Sequence, residues 1–160
     1  KTNKGKFEKW IKKLNSSDIE LQINDEMFKS NKNVNLFIEN IHQCMNNNNL
    51  CMAIDRLHAL FSGYIRYKAN KNKIESTNKP LDSLYSEYIN KLYLEGKLPE
   101  GITKTILTTS KKIMKDFDYV RNNMSPAHFN NIISNEEAKF VCNHVINILN
   151  FLTSMSKKRK

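Results

Sequence analysis

Four glycines and three prolines in 160 residues leave this chain few means of turning sharply. Glycine supplies left-handed turn positions, and proline presets turn dihedrals. Strand-rich domains turn often and use more of both. Long helices with short connections are therefore what such a sequence can build. The apolar residues agree, because they recur at helical spacing.

Phe7, Trp10, Ile11 and Leu14 predict a short amphipathic helix over 4–14. Ile19, Leu21 and Ile23 alternate, which reads as a short extended piece. Val34, Phe37, Ile38, Ile41 and Met45 form the next helical stripe, ending in the run Asn46 to Asn49. Leu50, Ile54, Leu57, Phe61, Tyr64 and Ile65 predict a long helix over 50–69. The polar stretch Asn70 to Pro80 is a loop. Leu81, Tyr85, Tyr88 and Leu92 give a fourth stripe, stopped by Gly96 and Pro99. Ile102, Ile106, Ile113, Phe117 and Val120 give a fifth, which stops near Ser125 because Pro126 disfavours helical geometry before it. Ser134 and Glu137 have capping-box spacing, and Ala138, Val141, Val145, Leu149 and Leu152 point inward from the last helix. Gly63, inside a helix, suggests a close helix approach. The expected fold is all-α, a bundle of five to six helices. The expected division is an N-terminal helix and linker over 1–33, a helical domain over 34–156 and a basic tail over 157–160.

Lys and Arg number 26 against 16 Asp and Glu, a formal net charge of +10. Such an excess points to an anionic partner, nucleic acid or membrane surface, or else to a solvated face. No apolar run is long enough for a spanning helix or a secretory signal. The three cysteines are too few and odd in number for a disulfide framework, so a reducing, cytoplasmic setting is expected. Only four arginines are present, Arg56, Arg66, Arg121 and Arg159, and guanidinium is the group suited to two-pronged phosphate contact.

Phosphate-loop, dinucleotide and nucleophile-elbow motifs are absent. Asp116 and Asp118, two apart on a helix, read as surface charges. His42, Cys44, Cys51 and His58 match no familiar zinc spacing and read as ordinary packing, so no metal and no cofactor is expected. His42 and His144 lie in helices and read as structural. His128 differs, because it follows Pro126-Ala127 in a loop, with Arg121 seven residues earlier in the last turn of a helix. A guanidinium can hold a phosphodiester and an imidazole can move its proton, and both are expected away from the apolar stripes. Spacing alone favours a helix-end Arg paired with a carboxylate and a surface-loop His.

The run Val120-Arg121-Asn122-Asn123-Met124-Ser125-Pro126-Ala127-His128 resembles the signature of HEPN domains, an Arg, four to six residues and a His. A second block, from Ala53 to Ile65, is similar to the early helix of the abortive-infection C-terminal branch of that family. The last helix, from Glu137 to Leu152, also looks like that branch, so the resemblance spans about residues 36–153. Ala59, Ser62 and Phe129 depart from residues many relatives carry.

The resemblance implies a dimeric all-α bundle in which two Arg–His motifs face each other across a cleft. It implies metal-independent RNA cleavage, in which the substrate's 2′-hydroxyl attacks phosphorus and leaves 2′,3′-cyclic phosphate and 5′-hydroxyl ends. Arg121 would grip the phosphate, His128 would act as general base or acid, and Asn122 would orient one of them. Arg56 and His58 are candidates to line the same cleft. The implied setting is a phage-defence toxin with RNA as partner, and with an antitoxin or sensing domain or partner. The alternatives are a non-catalytic module of the same fold, binding RNA, nucleotide or protein, and a plain helical oligomerisation domain.

Overall fold

The computed structural model describes residues 19–123 and 133–155. Over these residues the chain is helical, without a strand. A one-turn helix, α1 (Glu26–Lys29), precedes five long ones: α2 (Lys32–Asn46), α3 (Leu50–Lys71), α4 (Leu81–Leu94), α5 (Ile102–Asn123) and α6 (Asn135–Ser154). The expected helix over 4–14 and the basic tail lie outside the described residues.

Helix α3 is the hub, with α2, α4, α5 and α6 packed around it. Leu57, Phe61, Tyr64 and Ile65 along it are fully buried. Each such side chain contributes roughly 1.5–3 kcal/mol over leaving it exposed. Tyr85 and Leu84 of α4, Met114 and Phe117 of α5, and Cys142, Val145 and Leu149 of α6 complete one continuous core. The Tyr85 hydroxyl donates to the Leu107 carbonyl at 2.9 Å, and burial pushes its pKa well up.

Helix ends show how the chain manages with little glycine. Gly96 ends α4 at φ 63°, where Lys97 N–H donates to Leu92 and Gly96 N–H to Tyr93. Asn48 does the same for α2 at φ 55°, with Asn49 N–H on Cys44 and Asn48 N–H on Met45. Asparagine is the non-glycine residue that best tolerates this region, so the asparagine run works as a stop. At the start of α6 the Ser134 side chain accepts from Glu137 N–H while the Glu137 carboxylate accepts from Ser134 N–H, the expected capping box.

Residues 19–24 form an extended strap along α6. Leu21 and Ile23 bury their side chains, as the alternation predicts. Asn150 accepts from Gln22 N–H at 2.8 Å and donates to the Glu20 carbonyl at 2.7 Å. Peptide groups that a sheet would pair are satisfied here by helix side chains. The strap ends at Asp25, which caps α1 and pairs with Lys68 of α3 at 2.5 Å. Both members of that pair are largely buried, and the Lys68 ammonium also sits over the rings of Tyr64 and Tyr67.

Two expectations are corrected. Helix α5 does not bury Ile102 and Ile106, which are 77% and 52% exposed. Phe117 of the expected stripe is buried, Ile113 and Val120 pack partly against the core, and Leu107, Ser110 and Met114 complete the inward face. The helix carries two apolar stripes, and the one with small Ser110 leaves room for the Tyr85 hydroxyl to reach Leu107. Gly63 marks no close approach: it is exposed, and a Cβ there would meet nothing within 4 Å.

Candidate functional site

Helix α5 runs antiparallel to α3, so their residues meet in pairs whose numbers sum to a constant. His58 meets Asp118, with Nε2 2.8 Å from Oδ1. One turn further out, Arg121 meets Asp55, with Nε 3.6 Å from Oδ1. Both helices offer their partners three residues apart, on one face. The His58 ring also packs on Phe117, centroids 5.4 Å apart. Asp118 is thus a correction: it is half-buried and holds a histidine. Asp116 remains exposed.

Arg121 does not stand away from the apolar stripes as expected. It lies four residues after Phe117 and seven after Met114, in register with the buried face of α5. The core ends at Phe117, and one turn later the same face opens beside the start of α3. The Arg121 side chain is therefore steered toward α3 while staying 48% exposed. Its Nη1 donates to Asn122 Oδ1 at 2.7 Å. A guanidinium has five donors. Asp55 and Asn122 engage the Nε and Nη1 side, and no described residue accepts from Nη2. An exposed ion pair of this kind contributes only about 0.2–1 kcal/mol.

His128 lies outside the described residues, as do Pro126 and Phe129. Of the two possible cleft-lining residues, His58 reaches the neighbourhood of Arg121 through Asp118. Arg56 is half-buried and, two positions away on the helix, points about 200° round from His58. No described contact joins it to Arg121. The remaining described arginine, Arg66, is structural: Nη1 and Nη2 donate to the carbonyls of Ser76 and Lys79, pinning the loop before α4. Arg159 lies outside the described residues.

Other chemical groups are dispersed. Among the described residues no three His, Cys, Asp or Glu side chains gather as a metal site. Cys44 and Cys51 are half-buried and free, and Cys142 is buried. His144 is partly buried, with no partner for Nε2 among the described residues, and burial holds its pKa below the ordinary value. A cavity of about 600 Å³ lies at the far end of α3, lined by Lys68, Lys71, Tyr88, Leu92, Phe151 and Met155 among others, and not beside Arg121. No described helix is long and apolar enough to cross a membrane.

Sequence reading missed Asp55 and Asp118 as partners. The signal was present in the matching three-residue steps, Asp55 to His58 and Asp118 to Arg121, on helices with opposed directions.

An all-α domain with its exposed guanidinium at the open end of an antiparallel helix pair is the class these features define. A family model described as a HEPN-like domain, Abi_C, matches residues 32–156, and the chain belongs to that family. The family fits an abortive-infection HEPN module and includes ribonucleases. Comparisons with curated proteins and with solved structures returned no match.

Proposed function

We propose that this chain is a metal-independent endoribonuclease of an abortive-infection system, acting in the cytoplasm as a homodimer. The observation that carries the reading is Arg121, held by Asn122 and Asp55 at the mouth of the α3–α5 seam with its outer edge open to solvent. The proposed domain is 34–156, with 1–33 as N-terminal helix and linker and 157–160 as basic tail.

In the proposed reaction Arg121 binds the non-bridging oxygens of the scissile phosphate. The 2′-oxygen forms a bond to phosphorus as its proton passes to a base, and the bond to the 5′-oxygen breaks as that oxygen is protonated. His128 supplies one of these proton transfers. The products are a 2′,3′-cyclic phosphate and a 5′-hydroxyl. DNA has no 2′-hydroxyl and is refused at this step. Exposed Met52, one turn before Asp55, supports a second subunit closing over this end. An antitoxin or a sensing partner would hold the activity in check.

The test is incubation of wild type, Arg121→Ala and His128→Ala with total RNA plus chelator, followed by end-group analysis. Cyclic-phosphate ends from wild type alone are expected. Cleavage retained by rigorously purified His128→Ala overturns the reading. A second reading is favoured by the Asp55–Arg121 pair itself, which is what a structural helix-end arginine makes. There the domain binds RNA, nucleotide or protein without cutting. Binding that survives His128→Ala, with no cleavage by wild type, is its signature.

A further inference from the structure

The outer face of α5 carries a run of cations that the site above does not use. At 100° per residue Lys104, Lys111 and Lys115 fall within about 40° of one another, with Lys112 and Tyr119 on the same side and Asn122 in line. All six are exposed. Lys104 pairs with Glu100, whereas no carboxylate of the described residues pairs with Lys111, Lys112 or Lys115. The two carboxylates of this half of the helix border the run: Asp118, about 20° from Lys111, is engaged by His58, and Asp116, about 40° from Lys112, is exposed on the other flank. Tyr119 is 55% exposed, an aromatic ring in water that packing does not explain.

We infer that this face is a single-stranded nucleic-acid track: Lys111, Lys112 and Lys115 hold backbone phosphates, a base stacks on Tyr119, and the strand passes Asn122 and rounds the end of α5 to Arg121. Four residues of helix advance about 6 Å, so successive cations and the ring follow one another at roughly the spacing of consecutive nucleotides in an extended strand. Lysine suits this duty as a point charge that reads no sequence, and a tyrosine face accepts any base. The track engages phosphate and base but no 2′-hydroxyl, so it binds single-stranded RNA and DNA alike. Selection of RNA happens only at the bond to be broken. The inference rests on the ribonuclease reading for the delivery of the strand to Arg121, and not for the binding itself.

The test uses the full chain in the Arg121→Ala background, so that binding is read without cleavage. A labelled single-stranded oligoribonucleotide and its DNA counterpart are titrated across a range of salt. Lys111→Gln/Lys115→Gln is compared with Lys32→Gln/Lys73→Gln, which removes the same charge elsewhere. For the track pair the slope of log affinity against log salt falls by about 1.4, since each lost contact to a single strand removes about 0.7. Affinity drops about tenfold or more at moderate salt, while the control pair changes far less. Tyr119→Leu weakens binding severalfold and leaves the slope alone. Equal losses from the two lysine pairs, or an unchanged slope in the track pair, overturn the inference. Tight RNA binding with no DNA binding overturns it as well. Failure of the nuclease reading shows separately, as absence of cleavage by wild type whatever these titrations give.

Discussion

The two ends of α3 use the same residue types to opposite effect. At its C-terminal end Lys68 meets Asp25 with side chains 11% and 5% exposed, and Arg66 is consumed by two loop carbonyls. At its N-terminal end Asp55 meets Arg121 with both side chains 48% exposed. A buried cation cannot leave its partner without stranding a charge in the interior. An exposed one gives up its partner to any better anion at small cost. Burial, not residue identity, thus separates the basic groups that hold this fold together from those left open to solvent.

Several substitutions break or sharpen that contrast. The largest effect is expected from Lys68→Ala, which strands Asp25 and lowers stability by about 3–5 kcal/mol in chemical denaturation. The double variant Lys68→Met/Asp25→Asn recovers much of that loss. A Lys68→Ala protein as stable as wild type would show that the strap end is no more fixed than the seam. Arg121→Ala comes next and acts on rate: RNA cleavage falls at least about 10²–10³-fold, while stability moves by less than about 1 kcal/mol. A large loss of stability with cleavage intact would reverse the assignment of the two ends. Arg66→Ala is expected to lose about 1.5–3 kcal/mol through its charge-assisted hydrogen bonds, with cleavage per folded molecule unchanged.

The smallest effect is on pH. Burial lowers the pKa of His144, so the folded chain binds fewer protons than the unfolded one. Stability from this group is present above the ordinary histidine value of 6.5 and is lost as pH falls through the window beneath it. Denaturation curves at about pH 7.5 and about pH 5.5 should show a gap that narrows in His144→Leu. An undiminished gap would place the acid response in another group.

Most of the fold was legible because helical periodicity is a local signal. The stripes of α3, α4 and α6, the capping box at Ser134 and the stop at Gly96 follow from neighbours within a few residues. The first half of helix α5 was misread because two stripes compete along it. The face that goes in carries Leu107, whose carbonyl accepts from the Tyr85 hydroxyl 22 residues away, a partner no local pattern shows. Asp25 was illegible as a partner for the same reason, while Asp55 and Asp118 were missed because their matching steps show only when two helices are set against each other. For the candidate site, Arg121 was singled out from its motif, while its direction depends on where the core of α5 runs out.

The strap has a consequence for how the molecule is made. Its amide and carbonyl groups at 20–22 await Asn150, which lies 128 residues beyond Gln22 in the chain. The earliest described stretch to leave the ribosome therefore has no berth until the last helix has emerged. Contacts of such wide sequence separation slow the closing step of an otherwise local, fast-folding helical topology. Until that berth exists, the peptide groups at 20–22 are left to water, so the newborn chain passes through a stage in which its hub helix is formed but the strap is not yet fastened.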